Sequence, residues 1–490
     1  MKGRKLFRNR RLGVGFEGLE ERSLLATVSF SGGILRITGD NTAEAVAVTE
    51  PTPGNFVVTG GVVDPFLASG VVGIVADMKA GDDTLDIGEL GLPVNLRGSV
   101  NIKLGNDSDT TNLFINTPAA VTVDGGSQTG TVLQDETINV TESNIGALVV
   151  NAYAGNDTMV VDNSFFRSLV ANLGAARLTT GQVDLDSFTM TGGGAIGATV
   201  NVGTAELGAT NTVSISGADF TALVVNAAGN GLDEVTLENL EISGVLTVNT
   251  FGGDDTVALT EVDATRINIF LGAGTDSVTL ELVNASSGII DGGFQSGSAA
   301  QDDTIEITDS DLGAFVVNTY AGADAVTLTD SFFTSLVANL GVGSLTSGQV
   351  DDDNFQMEGG GATTAVINVG TAQANTMNLV GINGSSFTTL VVNGGAGADN
   401  VLLANLQVSN AVVINTFGGI DTIGLITVTA TNQVSIFAGA GDDEVELIGV
   451  VTARAILDGG PGANDTLADD GSPDIGTRKK SGFETDDPVF

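Results

Sequence analysis

The sequence predicts an all-β fold, a parallel β-solenoid in the form of a right-handed β-helix with about 22–24 residues per coil. Three observations predict it. The chain contains an internal 167-residue duplication, a Gly-x-Asp turn recurs about every 22 residues, and an alternating apolar pattern follows each turn. Such periods indicate stacked units that each contact only their neighbours.

The duplication defines the predicted organisation. "SLVANLG" at 168–174 recurs at 335–341, and "DGG" at 124–126 recurs at 291–293, an offset of 291 − 124 = 167 residues. The predicted regions are a basic, sorting-like N-terminal segment (1–26), N-terminal coils (27–123), repeat unit one (124–290), repeat unit two (291–457), and a C-terminal cap with a polar tail (458–490).

The turns are followed by strands. In "NTFGGDDTVAL" at 249–259, two Gly and two Asp lead into the alternating Val257 and Leu259. This period of two is typical of strands, and Gly, Asn and Asp recur too often for amphipathic helices of ordinary length. The right hand follows from the general preference for right-handed crossovers.

Composition excludes several classes of function. The chain has 490 residues, a formal net charge of −42, and neither Cys nor His. Of its 18 basic residues, ten lie in 1–26 and 478–480. Nucleic acid is therefore excluded as a partner, because binding needs a basic surface. The lack of His excludes catalytic triads and histidine-based zinc sites. No apolar run is long enough to predict a membrane span.

Asparagine and aromatic residues recur before the turns. Asn occupies positions 151, 226, 249, 318, 393 and 415, always six or seven residues before the turn Asp. If coils stack, these amides form a hydrogen-bonded ladder. Tyr153, Phe251, Tyr320 and Phe417 are predicted to fill a corner with stacked rings, with a sugar-binding platform as the alternative. The pairs at 165–166 and 332–333 are predicted to pack a bulge; an exposed pair would mark an adhesion spot.

The turn aspartates are the candidate site. Asp can hold a turn by bonding the following amide, and Gly permits the tight corner. Stacking would also place like charges about 5 Å apart, which calcium could bridge through carboxylate oxygens. Turn stacking alone and calcium binding both stay open. The candidate metal ligands are Asp83, Asp157, Asp254, Asp255, Asp276, Asp324, Asp399, Asp421, Asp442 and Asp443.

The turns resemble the calcium-binding nonapeptide repeat of RTX (hemolysin-type) proteins, GGxGxDxUx. "GGAGADNVL" at 394–402 fits all its fixed positions, and "FAGAGDDEV" at 437–445 fits most of them. RTX repeats occur in tandem, whereas here one half-motif appears per coil. The resemblance implies bound Ca²⁺ between coils.

The N-terminus resembles the LEPR-xLL segment of planctomycete exported and surface proteins. The pattern Phe16-Glu17-x-Leu19-Glu20-x-Arg22-x-Leu24-Leu25-Ala26 carries the resemblance, with Glu21 in place of the usual Pro. It implies a sorting segment and a location outside the cytoplasm, at the cell surface or in the medium.

Two classes of function follow. The first is a non-enzymatic structural or adhesive surface rod, stabilised by calcium if the metal interpretation holds, with a cell-surface or matrix component as its partner. It rests on repetition, since an active site is usually singular. The alternative is a β-helix carbohydrate-active enzyme, a polysaccharide lyase or glycoside hydrolase, using neighbouring carboxylates. Its basic candidates are Arg167, Arg177, Arg266 and Arg454.

Overall fold

The computed structural model describes residues 26–61, 64–126, 134–153, 155–174, 185–203, 210–293, 301–341, 352–370, 376–470 and 475–488. In this part of the chain the fold is all-β, with 68% strand, no helix, and parallel stacked coils that form a β-solenoid of about 16 turns. The predicted fold class is confirmed.

Apart from hairpins near the N-terminal end, the strands lie on two faces of the solenoid. Before repeat unit one they are β1 (Thr27–Ser31), β2 (Ile34–Thr38), β3 (Ala45–Thr52), β4 (Asn55–Thr59), β5 (Phe66–Ser69), β6 (Gly73–Asp77), β7 (Thr84–Ile87), β8 (Val94–Asn95), β9 (Val100–Lys103), β10 (Thr110–Leu113) and β11 (Ile115–Asp124). In repeat unit one they are β12 (Thr137–Thr141), β13 (Asn144–Asn151), β14 (Thr158–Asn172), β15 (Ser187–Val202), β16 (Thr212–Ser216), β17 (Asp219–Ala227), β18 (Glu234–Asn249), β19 (Thr256–Phe270), β20 (Ser277–Glu281) and β21 (Asn284–Asp291).

The pattern continues through repeat unit two and the C-terminal segment. These strands are β22 (Thr304–Thr308), β23 (Asp311–Asn318), β24 (Ala325–Thr329), β25 (Phe332–Asn339), β26 (Asn354–Glu358), β27 (Gly361–Asn368), β28 (Met377–Asn383), β29 (Ser386–Asn393), β30 (Ala398–Ala404), β31 (Gln407–Asn415), β32 (Thr422–Ile426), β33 (Thr429–Phe437), β34 (Glu444–Ile448), β35 (Val451–Asp458), β36 (Thr466–Asp469), β37 (Ile475–Ser481) and β38 (Thr485–Pro488).

Each coil pairs in register with the coils before and after it. A first-face strand follows the Asp turn, as in the parallel series β20, β22 and β24. A second-face strand leads back to the next turn, as in β21, β23 and β25. The strands β14, β15, β18 and β19 are long enough to run through both faces. From Asp83 to Asp465 the coils are 21 to 29 residues long, and the longest run from Asp157 to Asp186 and from Asp324 to Asp353. The coil from Glu44 to Asp83, which contains β4 and β5, spans 39 residues.

The core is a single apolar column between the two faces. Alternate residues of each strand point inward and stack on their counterparts one coil away, as Val278, Ile305 and Val326 do, all fully buried. Parallel strands lie about 4.8 Å apart, so each buried residue contacts the same kind of residue above and below. The alternating pattern of the sequence is therefore the pattern of the core.

The two ends differ from the middle. Strands β3, β4 and β5 pair antiparallel, and so do β1 and β2, so part of the predicted N-terminal coils is built from hairpins. At the other end, where the sequence predicts a last turn and a polar tail, β37 and β38 continue the parallel pairing. There Arg478 forms an ion pair with Asp469.

Candidate functional site

The turn aspartates form a buried column at one corner of the solenoid. Eight of the ten predicted ligands lie in it, each with an exposed fraction of 2% or less: Asp83, Asp157, Asp255, Asp276, Asp324, Asp399, Asp421 and Asp443. Each side chain sits at the start of a first-face strand, just before it or, for Asp399, at its second residue, and two residues before that strand's first inward apolar side chain. Buried carboxylates require partners, because removing charge from water is costly.

The partner is the backbone of the preceding coil. The Oδ1 atom of Asp276 accepts a hydrogen bond from the backbone N–H of Asp255 at 2.8 Å, and Oδ1 of Asp255 accepts one from the N–H of Asp233 at 2.9 Å. The same bond recurs along the column, at 2.8 to 3.3 Å. The sequence predicted a bond to the following amide of the same turn; the structure instead shows bonds that join one coil to the next.

Several members of the column are not among the predicted ligands. They are Asp109, Glu136, Asp186, Asp233, Asp303, Asp353 and Asp465, together with Asn211 and Asn378. Most lack the glycine two positions earlier, which hid them. The signal that finds them is the polar residue two positions before the first buried residue of a strand, as in Asp303 before Ile305. By that rule Asp303, and not the neighbouring Asp302, is the column member.

The two remaining predicted ligands are exposed and point the other way along the stack. Oδ1 of Asp254 accepts a hydrogen bond from the N–H of Thr275 in the following coil, at 2.8 Å. Asp442 accepts bonds from Ala463 N–H and from the Asn464 side chain. Adjacent acidic residues in one turn therefore bind the coil before and the coil after.

The turn glycines are required mainly by close stacking. A Cβ added to Gly274 would overlap the carbonyl oxygen of Gly253, and one added to Gly253 would overlap that of Gly231. Gly253 also has a φ of 120°, but Gly274 does not adopt a positive φ. The sequence predicted a conformational reason for these glycines; the contact between successive backbones is the reason that applies at both.

Burial raises the pKa of several column carboxyls. Desolvation is the largest cause, and neighbouring carboxylates add to it, raising the pKa of Asp109 and of Asp276 to about 7 and that of Asp303 to about 9. In the described chain the Oδ2 atoms of Asp109, Asp233, Asp276 and Asp443 are buried and have no hydrogen-bond partner. A neutral carboxylic acid fits that environment better than a carboxylate does. The bond at Oδ1, together with a raised pKa, thus lessens the repulsion between stacked carboxyls.

The column does not gather the candidate metal ligands into a chelating group. Among the described residues, no three acidic side chains come together in a way that could hold a metal ion. Calcium takes six to eight oxygen ligands, whereas each column carboxylate commits one oxygen to a backbone N–H. The donor arrangement fits a calcium ion poorly, and calcium binding stays a prediction for experiment.

An amide ladder runs beside the carboxylate column. Its two runs repeat at the duplication offset, and each Nδ2 donates to Oδ1 of the preceding amide at 2.6 to 2.8 Å. The members are Asn151, Asn172, Asn201, Asn226 and Asn249, then Asn318, Asn339, Asn368, Asn393 and Asn415. The predicted ladder is confirmed and has four further members.

The aromatic residues of this corner behave differently from the prediction. The side chains of Phe251 and Phe417 are more than half exposed, on residues with φ of 69° and 62°, so they do not fill the corner. Tyr320 donates its hydroxyl to Asp291 at 3.0 Å. In the pairs predicted to pack a bulge, one ring is buried and the other exposed: Phe166 and Phe333 point inward, and Phe165 and Phe332 point outward.

The arginines proposed for the enzyme alternative are dispersed. Nε of Arg266 donates a hydrogen bond to Ser287, and Arg167 lines a small surface groove. Arg454 lies on β35 in repeat unit two, in register with Gln433. Arg177 lies outside the described residues.

No protein-family model matches the chain, and a search of curated proteins returns no similar sequence. No helix in the described residues is long and apolar enough to cross a membrane.

Proposed function

We propose that this protein is a non-enzymatic structural and adhesive rod, exported to the cell surface or extracellular matrix. The observation that carries the proposal is the repeated use of its polar groups. The column carboxylates and the ladder amides bond to their own counterparts one coil away, so the most distinctive residues of the sequence serve assembly of the rod. Exposed acidic side chains keep such a rod soluble and limit lateral pairing of strands.

The N-terminal pattern supports the location. Residues 16–26 resemble a sorting segment of exported proteins, and a chain without Cys needs no disulfide chemistry after export. The acidic surface also favours a cationic partner over nucleic acid or another anionic polymer.

Two measurements test this function. Cells that produce the protein are fractionated and labelled with gold-conjugated antibody, and we expect the protein in the surface or matrix fraction. Purified protein is then incubated with a panel of neutral and acidic polysaccharides, and we expect no release of reducing ends or unsaturated sugars. A cytoplasmic location would refute the surface role, and turnover would favour the enzyme alternative.

A further inference from the structure

A groove of about 810 Å³ lies on the second face of repeat unit one. It crosses six successive coils, from Phe165 through Gly194, Asp219, Glu241 and Asp263 to Asn284, which are partners in consecutive parallel pairings. Five steps of about 4.8 Å give the groove a length of roughly 24 Å. That length suits an extended chain of about seven residues.

Three exposed carboxylates stand in line along this groove. Asp219 pairs in register with Glu241, and Glu241 with Asp263. Like charges opposite each other on neighbouring strands are destabilising. In the described part of the chain no basic side chain forms an ion pair with them, and Arg266, the basic residue of β19, bonds to Ser287.

Repeat unit two shows that the fold does not need these charges. The corresponding positions are Ser386, Gln407 and Thr429, in the same register and on the same kind of strand. Both units pair a glycine with the first position, Gly194 with Asp219 and Gly361 with Ser386. The solenoid is therefore built equally well with neutral side chains, and the acidic line is a singular feature of unit one.

The other end of the groove is apolar. Phe165 and Ile196 are each more than half exposed, and Phe166 and Phe220 form a buried floor. In unit two the counterpart of Phe165 is Phe332, also exposed, but the counterpart of Ile196 is Thr363. The apolar surface at this end is thus larger in unit one, where the acidic line also occurs.

We propose that this groove binds an extended cationic peptide segment of a partner protein. Lysine or arginine side chains lie over Asp219, Glu241 and Asp263, and an apolar side chain packs against Phe165 and Ile196. Charge complementarity selects a cationic occupant, and the groove length selects a polymer over a single ion. The proposal names the partner class for the adhesive role and rests on that role only for its biological setting.

The test uses the full chain and a fluorescein-labelled nonapeptide with one phenylalanine followed by three lysines at alternate positions. Fluorescence anisotropy is measured at 0.05 M and 0.5 M NaCl. We expect saturable binding at low salt that weakens at high salt. We expect the variant D219S/E241Q/D263T, which carries the residues of unit two, to bind at least tenfold more weakly. A peptide with glutamine in place of lysine should not bind.

Two further variants keep the result interpretable. The variant E234Q/E281Q/E444Q removes the same charge from exposed first-face positions, and its affinity should stay within twofold of the unmodified chain. The reciprocal variant S386D/Q407E/T429D should gain a second, weaker site. Equal losses in both neutralised variants, or unchanged binding by D219S/E241Q/D263T, would overturn the proposal. The cell fractionation tests the surface location and the anisotropy assay tests the groove. Because each result is independent of the other, the surface role and the peptide-binding groove can be refuted separately.

Discussion

At the scale of single residues, one side chain type serves two purposes in this solenoid. A column aspartate such as Asp276 accepts a hydrogen bond at Oδ1, and burial favours its neutral form, raising its pKa to about 7. Asn211 and Asn378 occupy the same column and reproduce both features without titrating. Oδ1 of each accepts a hydrogen bond from a backbone N–H of the previous coil, and Nδ2 of each donates one to Oδ1 of the next column Asp at 2.7 Å. The chain thus contains its own neutral equivalent of the aspartate.

Replacing Asp276 by Asn should stabilise the protein at pH 8. Ionisation of a group with a pKa near 7 is unfavourable in the folded state, whereas asparagine keeps the bond from Asp255 and carries no charge. Because one pKa unit corresponds to about 1.4 kcal/mol, we expect a gain of more than about 1 kcal/mol. The gain should shrink at pH 5, where the folded aspartate is protonated. Thermal unfolding followed by circular dichroism measures it.

The matched control is D276A, which removes the acceptor of the Asp255 N–H. Leaving a buried donor unsatisfied costs about 1–3 kcal/mol, so D276A should be less stable than D276N at both pH values, and less stable than the unmodified protein at pH 5, where the aspartate is protonated in the folded state. Equal effects of the Asn and Ala variants would contradict the role assigned to Oδ1.

At the scale of elements, the ladders fix how one coil sits on the next. An interior amide such as Asn226 donates to Asn201 and accepts from Asn249. Asn249 ends its run, because the next residue in register is Phe270. The interior and terminal positions therefore differ by one hydrogen bond, while both lie half-buried at the same corner.

This difference predicts unequal effects of two substitutions. N226A should lower the free energy of unfolding by roughly 1–3 kcal/mol, and N249A by about half as much, because it removes one bond and not two. Urea unfolding of both variants measures the ratio. A loss at N249A as large as at N226A would show that the amides act singly and not as a ladder.

Much of this level of structure could be predicted from the sequence. The period of two in strands such as β22, the duplication and the spacing of Asn before the turns determine the parallel stack and the amide ladder. The direction of the aspartate bonds could not be predicted, because a local turn bond and an inter-coil bond require the same residue types. Residues such as Asp303 escaped because burial, and not a preceding glycine, defines the column. The acidic groove becomes visible only when register shows that Asp219, Glu241 and Asp263 are neighbours.

At the scale of the whole molecule, the column makes stability depend on pH. Burial raises the pKa of Asp109, Asp255 and Asp276 to about 7, and that of Asp399, Asp421 and Asp443 to about 6. The ordinary value is 3.8, so between about pH 4 and pH 7 the folded state binds more protons than the unfolded state. Stability is then greatest at the acidic end of this window and falls as pH rises through the folded-state values.

We therefore expect the melting temperature to fall between pH 5 and pH 8. The net charge of −42 acts in the same direction by general repulsion, and this part is screened by salt. Repeating the melts at 0.05 M and 0.5 M NaCl separates the two contributions, because the buried column is shielded from salt. A pH dependence that disappears at high salt would assign the effect to surface charge and contradict the buried column as its source.

The same column decides what calcium does to the rod. Where the column carboxyls are protonated and bonded to backbone N–H groups, few oxygen atoms remain to bind calcium. At pH 6, millimolar calcium should therefore change the melting temperature by no more than a few degrees relative to excess chelator. Magnesium at equal concentration is the control for general screening of charge.

At pH 8, where more of the column is ionised, a rise in melting temperature with calcium that magnesium does not reproduce would show that calcium replaces the protons. A large calcium-dependent rise at pH 6, or a transition from coil to β structure on adding calcium, would contradict the hydrogen-bonded column and make the turn aspartates metal ligands, since binding only the folded state stabilises it by mass action.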